Sequence, residues 1–173
     1  IFNEFLISYF FISISFFLLG FLDDIKININ PKIRLILMIS ILLFGVFYFS
    51  IEINRIDLNF IQNLLQNKLF VSLFVSLCFL FIINGANLID GFNGLLCIHL
   101  IIINIILLAI NIEGEHEKFS IFIIAQIISL ACFLLFNFPK ANIFFGDSGS
   151  YLFGSLVAFN VINTNILNGE VSS

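Results

Sequence analysis

Six long apolar segments, separated by polar loops, constrain the fold of this chain more than any other feature. Each approaches the roughly 20 residues that an α-helix needs to cross a bilayer. No segment alternates as a membrane strand would, so helices are favoured over a β-barrel. The sequence therefore predicts an all-α fold, a polytopic transmembrane helical bundle with about six transmembrane helices. The segments lie at about 5–22, 33–51, 68–83, 95–112, 119–136 and 151–167.

The composition excludes a soluble globular protein. Of the 173 residues, 61% are hydrophobic and only 10% are charged, whereas soluble domains carry roughly 25% charged residues. So few charged side chains could not cover a surface that faces water. Cys78, Cys97 and Cys132 lie in or beside apolar segments without a CxxC pair, and we interpret them as small buried hydrophobic residues. We expect membrane lipid, and no nucleic acid, among the partners.

The five connecting loops alternate between the two sides of the membrane and differ in their acidic residues. Loops one, three and five carry aspartates among Asn, Gly, Pro and Ser, whereas loops two and four carry most of the glutamates. Four basic residues on the odd side, against three on the even side, weakly favour the odd side as cytoplasmic. We therefore expect the odd-loop aspartates to gather at one membrane surface. They are Asp23, Asp24, Asp90 and Asp147.

The first two aspartate loops have features typical of a cation or phosphate site. Asp23 and Asp24 are adjacent carboxylates at a helix end, and they repel each other unless a cation is present. Asn84, Asn87 and Asp90 recur at intervals of three, which places them on one broad face of a helix. Such oxygens can coordinate a hard cation or bind a polar head group. Each feature alone is equally typical of a solvated helix terminus or a polar cap.

The third loop reads Gly-Asp-Ser-Gly-Ser over residues 146–150, immediately before the sixth segment. Ser148 or Ser150 is expected to cap that helix, whose N–H groups would then offer an anion site. Asp147 beside such a site could hold Mg²⁺, which prefers a few carboxylates together with phosphate oxygens. Capping alone would also explain this loop, but the three loops together predict one divalent-metal and phosphate site at the membrane surface.

The same loops resemble a known enzyme family. Three segments are similar, in order and spacing, to the core motifs of the polyprenyl-phosphate N-acetylhexosamine-1-phosphate transferases. They are GFLDDIK (20–26), NGANLIDGFNGL (84–95) and NIFFGDSGSYLFG (142–154). Two further segments match as well, PKIRL (31–35) and NFPKANIF (137–144). The resemblance implies a multi-pass enzyme of the cell inner (cytoplasmic) membrane with its active site on the cytoplasmic face.

The resemblance also implies a reaction. N-acetylhexosamine-1-phosphate would pass from a UDP-N-acetylhexosamine, such as UDP-N-acetylglucosamine, to polyprenyl (undecaprenyl) phosphate, and UMP would be released. This would be the first membrane step of a cell-envelope glycan such as the lipopolysaccharide O-antigen. Mg²⁺ is the implied cofactor, with Mn²⁺ as its alternative, and family members often form homodimers.

The resemblance assigns roles to residues of this chain. The implied catalytic residues are Asp23, Asp24, Asp90 and Asp147. The implied metal ligands are Asp147, Asp90 and Asp24. The implied substrate-binding residues are Lys26, Lys32, Arg34, Asn84, Asn87, Asn93, Lys140 and Ser148. Direct attack by the lipid phosphate is preferred over an aspartyl-phosphate route through Asp23 or Asp24, because the acceptor is already mostly a dianion at pH 7.

Two departures from the family pattern leave alternatives open. Asn93 stands where many relatives have Asp, which favours the O-antigen branch over the peptidoglycan-precursor phospho-MurNAc-pentapeptide transferase. Neither His99 nor His116 matches the family's histidine-bearing loop, so residues 1–173 are interpreted as part of one transmembrane catalytic domain. Further N-terminal helices, and the C-terminal histidine-bearing loop and helices, would lie outside it. An ion-coupled membrane transporter is the alternative of another class, disfavoured because the acids lie at segment ends rather than near the midplane.

Overall fold

Six long helices follow one another along the chain. The computed structural model describes residues 2–27, 29–51, 53, 64–114 and 116–171, with the side chains of 2–4 and 168–171 left out. The helices are α1 (Phe2–Asp24), α2 (Pro31–Tyr48), α3 (Lys68–Ile89), α4 (Leu95–Glu113), α5 (Glu117–Asn137) and α6 (Gly146–Val171). Each contains a segment long and apolar enough to cross a membrane. These residues include no strand, and the predicted all-α, multi-pass bundle is confirmed.

Two helices extend by more than a full turn further into the aspartate loops than predicted. The sequence placed the end of the third apolar segment at residue 83, but α3 continues to Ile89. The sixth segment was expected from residue 151, but α6 already begins at Gly146. The hydropathy pattern did not reveal these additional helical residues, because several of them are polar although their backbone is helical. The start of α2 was predicted well: Pro31 occupies its first turn, and the Asn30 side chain accepts the Lys32 N–H at 3.0 Å.

The least apolar helix, α6, is the central one. It packs against α1, α3 and α4, while α2 packs against α3 and α1, and α5 packs against α4. In its membrane-spanning window 56% of the residues are buried, compared with 22–39% in the other five helices. Gly154 allows α3 to approach closely, since a Cβ there would lie 3.1 Å from the Cα of Ile83. A helix surrounded by other helices needs little apolar surface for lipid.

Buried polar side chains join α6 to three neighbours inside the bundle. Gln126 of α5 donates a hydrogen bond to the Tyr9 hydroxyl of α1 at 2.6 Å. Asn160 of α6 donates to Oε1 of Gln126 at 2.8 Å and to Oδ1 of Asn104, in α4, at 3.0 Å. All four side chains are buried. Because unpaired polar groups are costly in hydrocarbon, this set of contacts, the Asn160 network, favours one arrangement of the helices around α6.

Candidate functional site

The end of α1 meets the beginning of α6 through Asp24. Its Oδ1 accepts the backbone N–H of Asp147 and its Oδ2 accepts that of Ser148, both at 2.9 Å. The carboxylate therefore satisfies two of the free N–H groups of α6 and lies at the positive end of the helix dipole. The cap comes from another helix, and not from Ser148 or Ser150 as the sequence predicted. The anion position expected at this helix terminus is taken by Asp24 itself.

Two glycines allow this close approach of α1 and α6. Gly146 has a φ of +65°, and a Cβ there would lie 2.8 Å from both carboxylate oxygens of Asp24. Gly20 faces the backbone of Asp147 and Ser148, and a Cβ there would overlap with the Asp147 carbonyl group. The two helices therefore approach backbone to backbone at the site, which only residues without a side chain permit.

Arg34 of α2 lies between two aspartates. Its Nη1 is 2.8 Å from Oδ2 of Asp23 and 3.5 Å from Oδ2 of Asp147. The Asp23 side chain is only 12% exposed, whereas those of Arg34 and Asp147 are 28% and 33% exposed. A ligand could therefore reach Arg34 and Asp147 more easily than Asp23. The guanidinium offsets part of the negative charge that α1 and α6 bring together.

Asn87 of α3 holds the other oxygen of Asp147. Its amide nitrogen donates to Oδ1 of Asp147 at 2.6 Å and to Oγ of Ser150 at 3.0 Å. The Asp147 carboxylate is thus oriented from two sides, by Asn87 on Oδ1 and by Arg34 on Oδ2. The sequence suggested Ser150 only as a helix cap, because its contact with Asn87 arises from the packing of α3 on α6 and leaves no trace in residue spacing.

Asp90 follows directly after α3, close to the same charges. Its residue is partly buried, and this burial, followed by the negative charges of Asp147 and Asp24, raises the pKa of Asp90 to about 6. A carboxylate whose ionisation is opposed by neighbouring carboxylates is stabilised by a bound cation. Asp90 therefore belongs electrostatically to the cluster formed by Asp23, Asp24 and Asp147.

The remaining predicted substrate-binding residues do not all join this cluster. Asn84 donates to the Leu80 carbonyl of its own helix at 2.8 Å and lies 4.0 Å from the sulfur of Met38. It therefore faces α2, although it lies only one turn before Asn87. Three basic side chains are exposed at the aspartate end of the bundle, two on loops and one in the first turn of α2. They are Lys26, Lys32 and Lys140.

Two asparagines join the loop after α3 to the loop before α6. Asn93 donates to the Pro139 carbonyl at 3.2 Å. Buried Asn137 accepts the Gly94 N–H at 2.5 Å and donates to the Ile143 carbonyl at 2.7 Å. No role for Asn137 was predicted, although a polar residue at the end of an apolar helix, directly before Phe-Pro, is a signal that the sequence contains. Together the two side chains fix the loops that carry Asp90 and Asp147.

The donor atoms fit a divalent cation that is bound jointly with phosphate. Oxygen ligands from Asp147 and Asp90 are of the hard kind that Mg²⁺ and Mn²⁺ prefer. Within the described ranges, no three His, Cys, Asp or Glu side chains are grouped closely enough to hold a metal ion by themselves. Mg²⁺ usually binds through one or two carboxylates together with substrate phosphates, so an open site of this kind suits it. Asp24, with both oxygens on the α6 backbone, is the least available ligand of the predicted three.

Comparison with known proteins places this chain in a family. The sequence profile described as glycosyl transferase family 4 matches residues 6–165. Three relatives, each named phospho-N-acetylmuramoyl-pentapeptide-transferase, are 32% identical (Streptococcus sanguinis), 31% identical (Clostridium perfringens) and 29% identical (Prochlorococcus marinus). The matches cover 88%, 84% and 96% of this chain and 49%, 48% and 48% of the relatives.

The chain thus spans about half the length of these curated relatives. The profile match contains every aspartate of the cluster, together with Arg34 and Asn87. These relatives carry the name of the peptidoglycan-type alternative and not that of the O-antigen branch. At the level of the family, the expectation from the motifs is confirmed, and the chain belongs to glycosyl transferase family 4.

Proposed function

We propose that this protein transfers a sugar-1-phosphate from a UDP-sugar to a polyprenyl phosphate in the membrane and releases UMP. The observation that carries the proposal is the Asp147 carboxylate, held between Arg34 and Asn87 where α1, α2, α3 and α6 converge. Carboxylates suited to a divalent cation and a guanidinium suited to phosphate lie together at one end of a membrane-spanning bundle. That pairing favours phosphoryl chemistry at the membrane surface over transport through the membrane.

Charge repulsion is the main obstacle to this reaction. The acceptor is a phosphate monoester with a second pKa of roughly 6, so it is mostly a dianion at pH 7, and it must approach a diphosphate. We assign Arg34 to binding a substrate phosphate, because a guanidinium matches phosphate geometry. A divalent cation held by Asp147 and Asp90 would supply further positive charge and orient the phosphates. The exposed lysines near the site would attract both anionic substrates.

A direct displacement suits these residues better than a covalent intermediate. An oxygen of the lipid phosphate forms a bond to the phosphorus that carries the sugar. The bond from that phosphorus to the bridging oxygen breaks, and UMP leaves with the electron pair. Attack by an aspartate is less favoured, because Asp23 is paired with Arg34 and Asp24 caps α6. The acceptor dianion needs no strong base, so neither aspartate is required to remove a proton.

Two sugar donors are candidates. The Asn93 variant of the motif favours a UDP-N-acetylhexosamine, whereas the names of the three relatives favour UDP-N-acetylmuramoyl-pentapeptide. We favour the second donor, because the hydrogen bond from Asn93 to Pro139 gives Asn93 a role in loop closure that is independent of the sugar. We place the protein in the inner membrane with the site on the cytoplasmic face, where the basic residues of the odd loops lie, and expect a homodimer.

The decisive assay measures UMP release by the full-length protein in membranes. Both donors are tested in parallel, with and without undecaprenyl phosphate and with Mg²⁺ or Mn²⁺ supplied or chelated. We expect release to require one donor, the lipid phosphate and a divalent cation. Substrate flux across sealed vesicles without UMP release would instead identify a transporter.

A substitution links this activity to the site. Asp147→Asn removes the charge that would hold the cation, and we expect at least a hundredfold lower turnover, in the range found when a charge-stabilising group is removed. Glu113→Gln is the matched control, since it makes the same carboxylate-to-amide change at the opposite end of the bundle. Substantial turnover by Asp147→Asn at saturating Mg²⁺ would refute the assignment of Asp147.

A further inference from the structure

Tyr151 lies one helical turn after Asp147 in α6 and is the largest fully buried side chain of the described residues. Its hydroxyl has no hydrogen-bond partner in the described part of the chain. An unpaired buried hydroxyl adds no stability. The contact that Tyr151 makes with the charged residues of the site in this structure is therefore that of its ring.

The ring lies between the apolar core and the charged cluster. It belongs to the core cluster that residues of α1, α2 and α3 share with α6. On its other side, the guanidinium carbon of Arg34 lies 5.9 Å from the ring centroid. A cation at this distance from an aromatic face is within the range of a cation–π interaction. Tyr151 is also within electrostatic range of Asp147 and Asp23, the two partners of Arg34.

Both carboxylate contacts hold Arg34 through a single nitrogen, Nη1. The shorter contact, with Asp23, is a partly exposed pair, and the contact with Asp147 is longer at 3.5 Å. A guanidinium held through one nitrogen can still rotate about it, and fixing a long side chain costs conformational entropy. The rigid, buried Tyr151 ring adds a contact with the guanidinium carbon that neither carboxylate provides.

We propose that Tyr151 is a positioning residue for Arg34. Its ring holds the guanidinium between Asp23 and Asp147, so that Arg34 is already oriented when a substrate phosphate arrives. The inference rests on the proposed function, in which Arg34 binds that phosphate. Tyr151 itself contacts no substrate and acts only through Arg34.

The first test separates the ring from the hydroxyl in the full-length protein in membranes. Y151F keeps the ring and should have kinetic constants within about twofold of the parent. Y151L removes the ring and should raise, about tenfold, the same KM that R34M raises, with kcat changed much less. If Y151F is impaired as severely as Y151L, or if Y151L lowers kcat and leaves that KM unchanged, the proposal is overturned.

A double variant shows whether Tyr151 acts through Arg34. In the R34M background, Y151L should produce no further rise in KM, and an undiminished further rise would refute the proposal. F159L is the matched control, because Phe159 is another buried aromatic residue of α6 but lies away from the charged cluster. It should lower thermal stability as Y151L does and leave the KM unchanged. Y151M replaces Y151L if the latter does not fold.

A second readout is independent of activity. In ¹⁵N-labelled protein, the Arg34 Nη–H resonances, assigned with R34K, should exchange slowly with water in the parent, Y151F and F159L, and faster in Y151L, because Nη1 is the nitrogen that Asp23 and Asp147 contact. Equal exchange in the parent and Y151L would overturn the inference. Absence of UMP release from the parent with either donor would instead overturn the proposed function, so the two failures are distinguishable.

Discussion

Asp24 caps helix α6 at Asp147, since its Oδ1 accepts the Asp147 backbone N–H at 2.9 Å. One carboxylate thereby joins two helices whose contacting residues are 123 positions apart in the sequence. It also fixes the backbone of the residue whose side chain meets Arg34 and Asn87. The adjacent Asp23 faces Arg34 instead, so the two neighbouring aspartates have different structural tasks.

The capping contact predicts how Asp24 variants behave. Asp24→Ala leaves two helix N–H groups without acceptors and should lower the free energy of unfolding by about 1–2 kcal/mol. Asp24→Asn keeps one of the two acceptor oxygens and loses the charge, so it should retain part of the cap and lose less stability than Asp24→Ala. Thermal unfolding of the purified protein in detergent measures both. Equal losses for the two variants would show that Asp24 does not stabilise the fold as a cap.

The close approach of α1 and α6 predicts opposite results for two glycines. Gly20→Ala would place a Cβ against the Asp147 carbonyl group, so the helices must move apart, and we expect a loss of about 2 kcal/mol or more. Gly85→Ala is the matched control in α3, because no atom lies within 4 Å of a Cβ there. Helix propensity should make that change neutral or stabilising by up to about 1 kcal/mol. Similar unfolding midpoints for both variants would contradict the close contact between α1 and α6 at Gly20.

The hydrogen bond from Asn93 to the Pro139 carbonyl predicts the effect of replacing Asn93 by Asp, the residue of the family motif. Asn93→Asp replaces the amide donor to the Pro139 carbonyl by an ionised group that only accepts, and should cost about 1 kcal/mol. Donor preference, measured as the ratio of kcat/KM for the two UDP-sugars, should stay within about threefold. Asn142→Asp, at an exposed position of the loop that contains Pro139, controls for the added charge. A switch of donor would make Asn93 a specificity residue instead.

The sequence predicted the helices well because apolar length is a direct requirement of the bilayer. It predicted the gathering of aspartates because successive loops of membrane-spanning helices must alternate sides. The sequence could not predict which side chains contact one another within this group of residues. Asn84 and Asn87 are both asparagines of α3 and lie one helical turn apart. Asn84 nevertheless donates a hydrogen bond within its own helix, whereas Asn87 donates one to Asp147. That difference arises from which neighbouring helix each one meets, and packing of this kind has no local signal.

The raised pKa of Asp90 predicts a pH-dependent effect of its removal. Its value of about 6 exceeds the ordinary 3.8, so between about pH 4 and 6 the folded state keeps a proton that the unfolded state releases. The free energy of unfolding therefore falls as the pH rises through this window, and the full destabilisation by the ionised Asp90 is present above about pH 6. Asp90→Asn should stabilise the cation-free protein at pH 8, by about 1 kcal/mol after solvent screening, and change little at pH 4.

The same unfolding measurement tests the assignment of Asp90 as a metal ligand. Mg²⁺ at saturating concentration should stabilise the parent at pH 8 more than it stabilises Asp90→Asn, because binding to the folded state alone raises stability. Equal stabilisation of both proteins would remove Asp90 from the ligand set. The comparison at pH 4 without Mg²⁺ controls for any packing change caused by the amide.

The Asn160 network predicts coupling between helices far from the site. Asn160→Leu removes three hydrogen bonds, two with Gln126 and one with Asn104, and at about 0.6 kcal/mol for each intramembrane bond it should cost roughly 2 kcal/mol. Gln126→Leu should cost a similar amount, and the double variant should cost less than the sum, since the two side chains share two of these bonds. Ser129→Ala, at an exposed position of α5, is the control and should be nearly neutral.

Asn160 lies roughly 20 Å from Asp147 along α6, so the loss of the Asn160 side chain should lower the unfolding midpoint while the KM values stay unchanged. Fully additive losses would show that the side chains stabilise their helices separately, and a changed KM would show that the network also sets the position of Asp147.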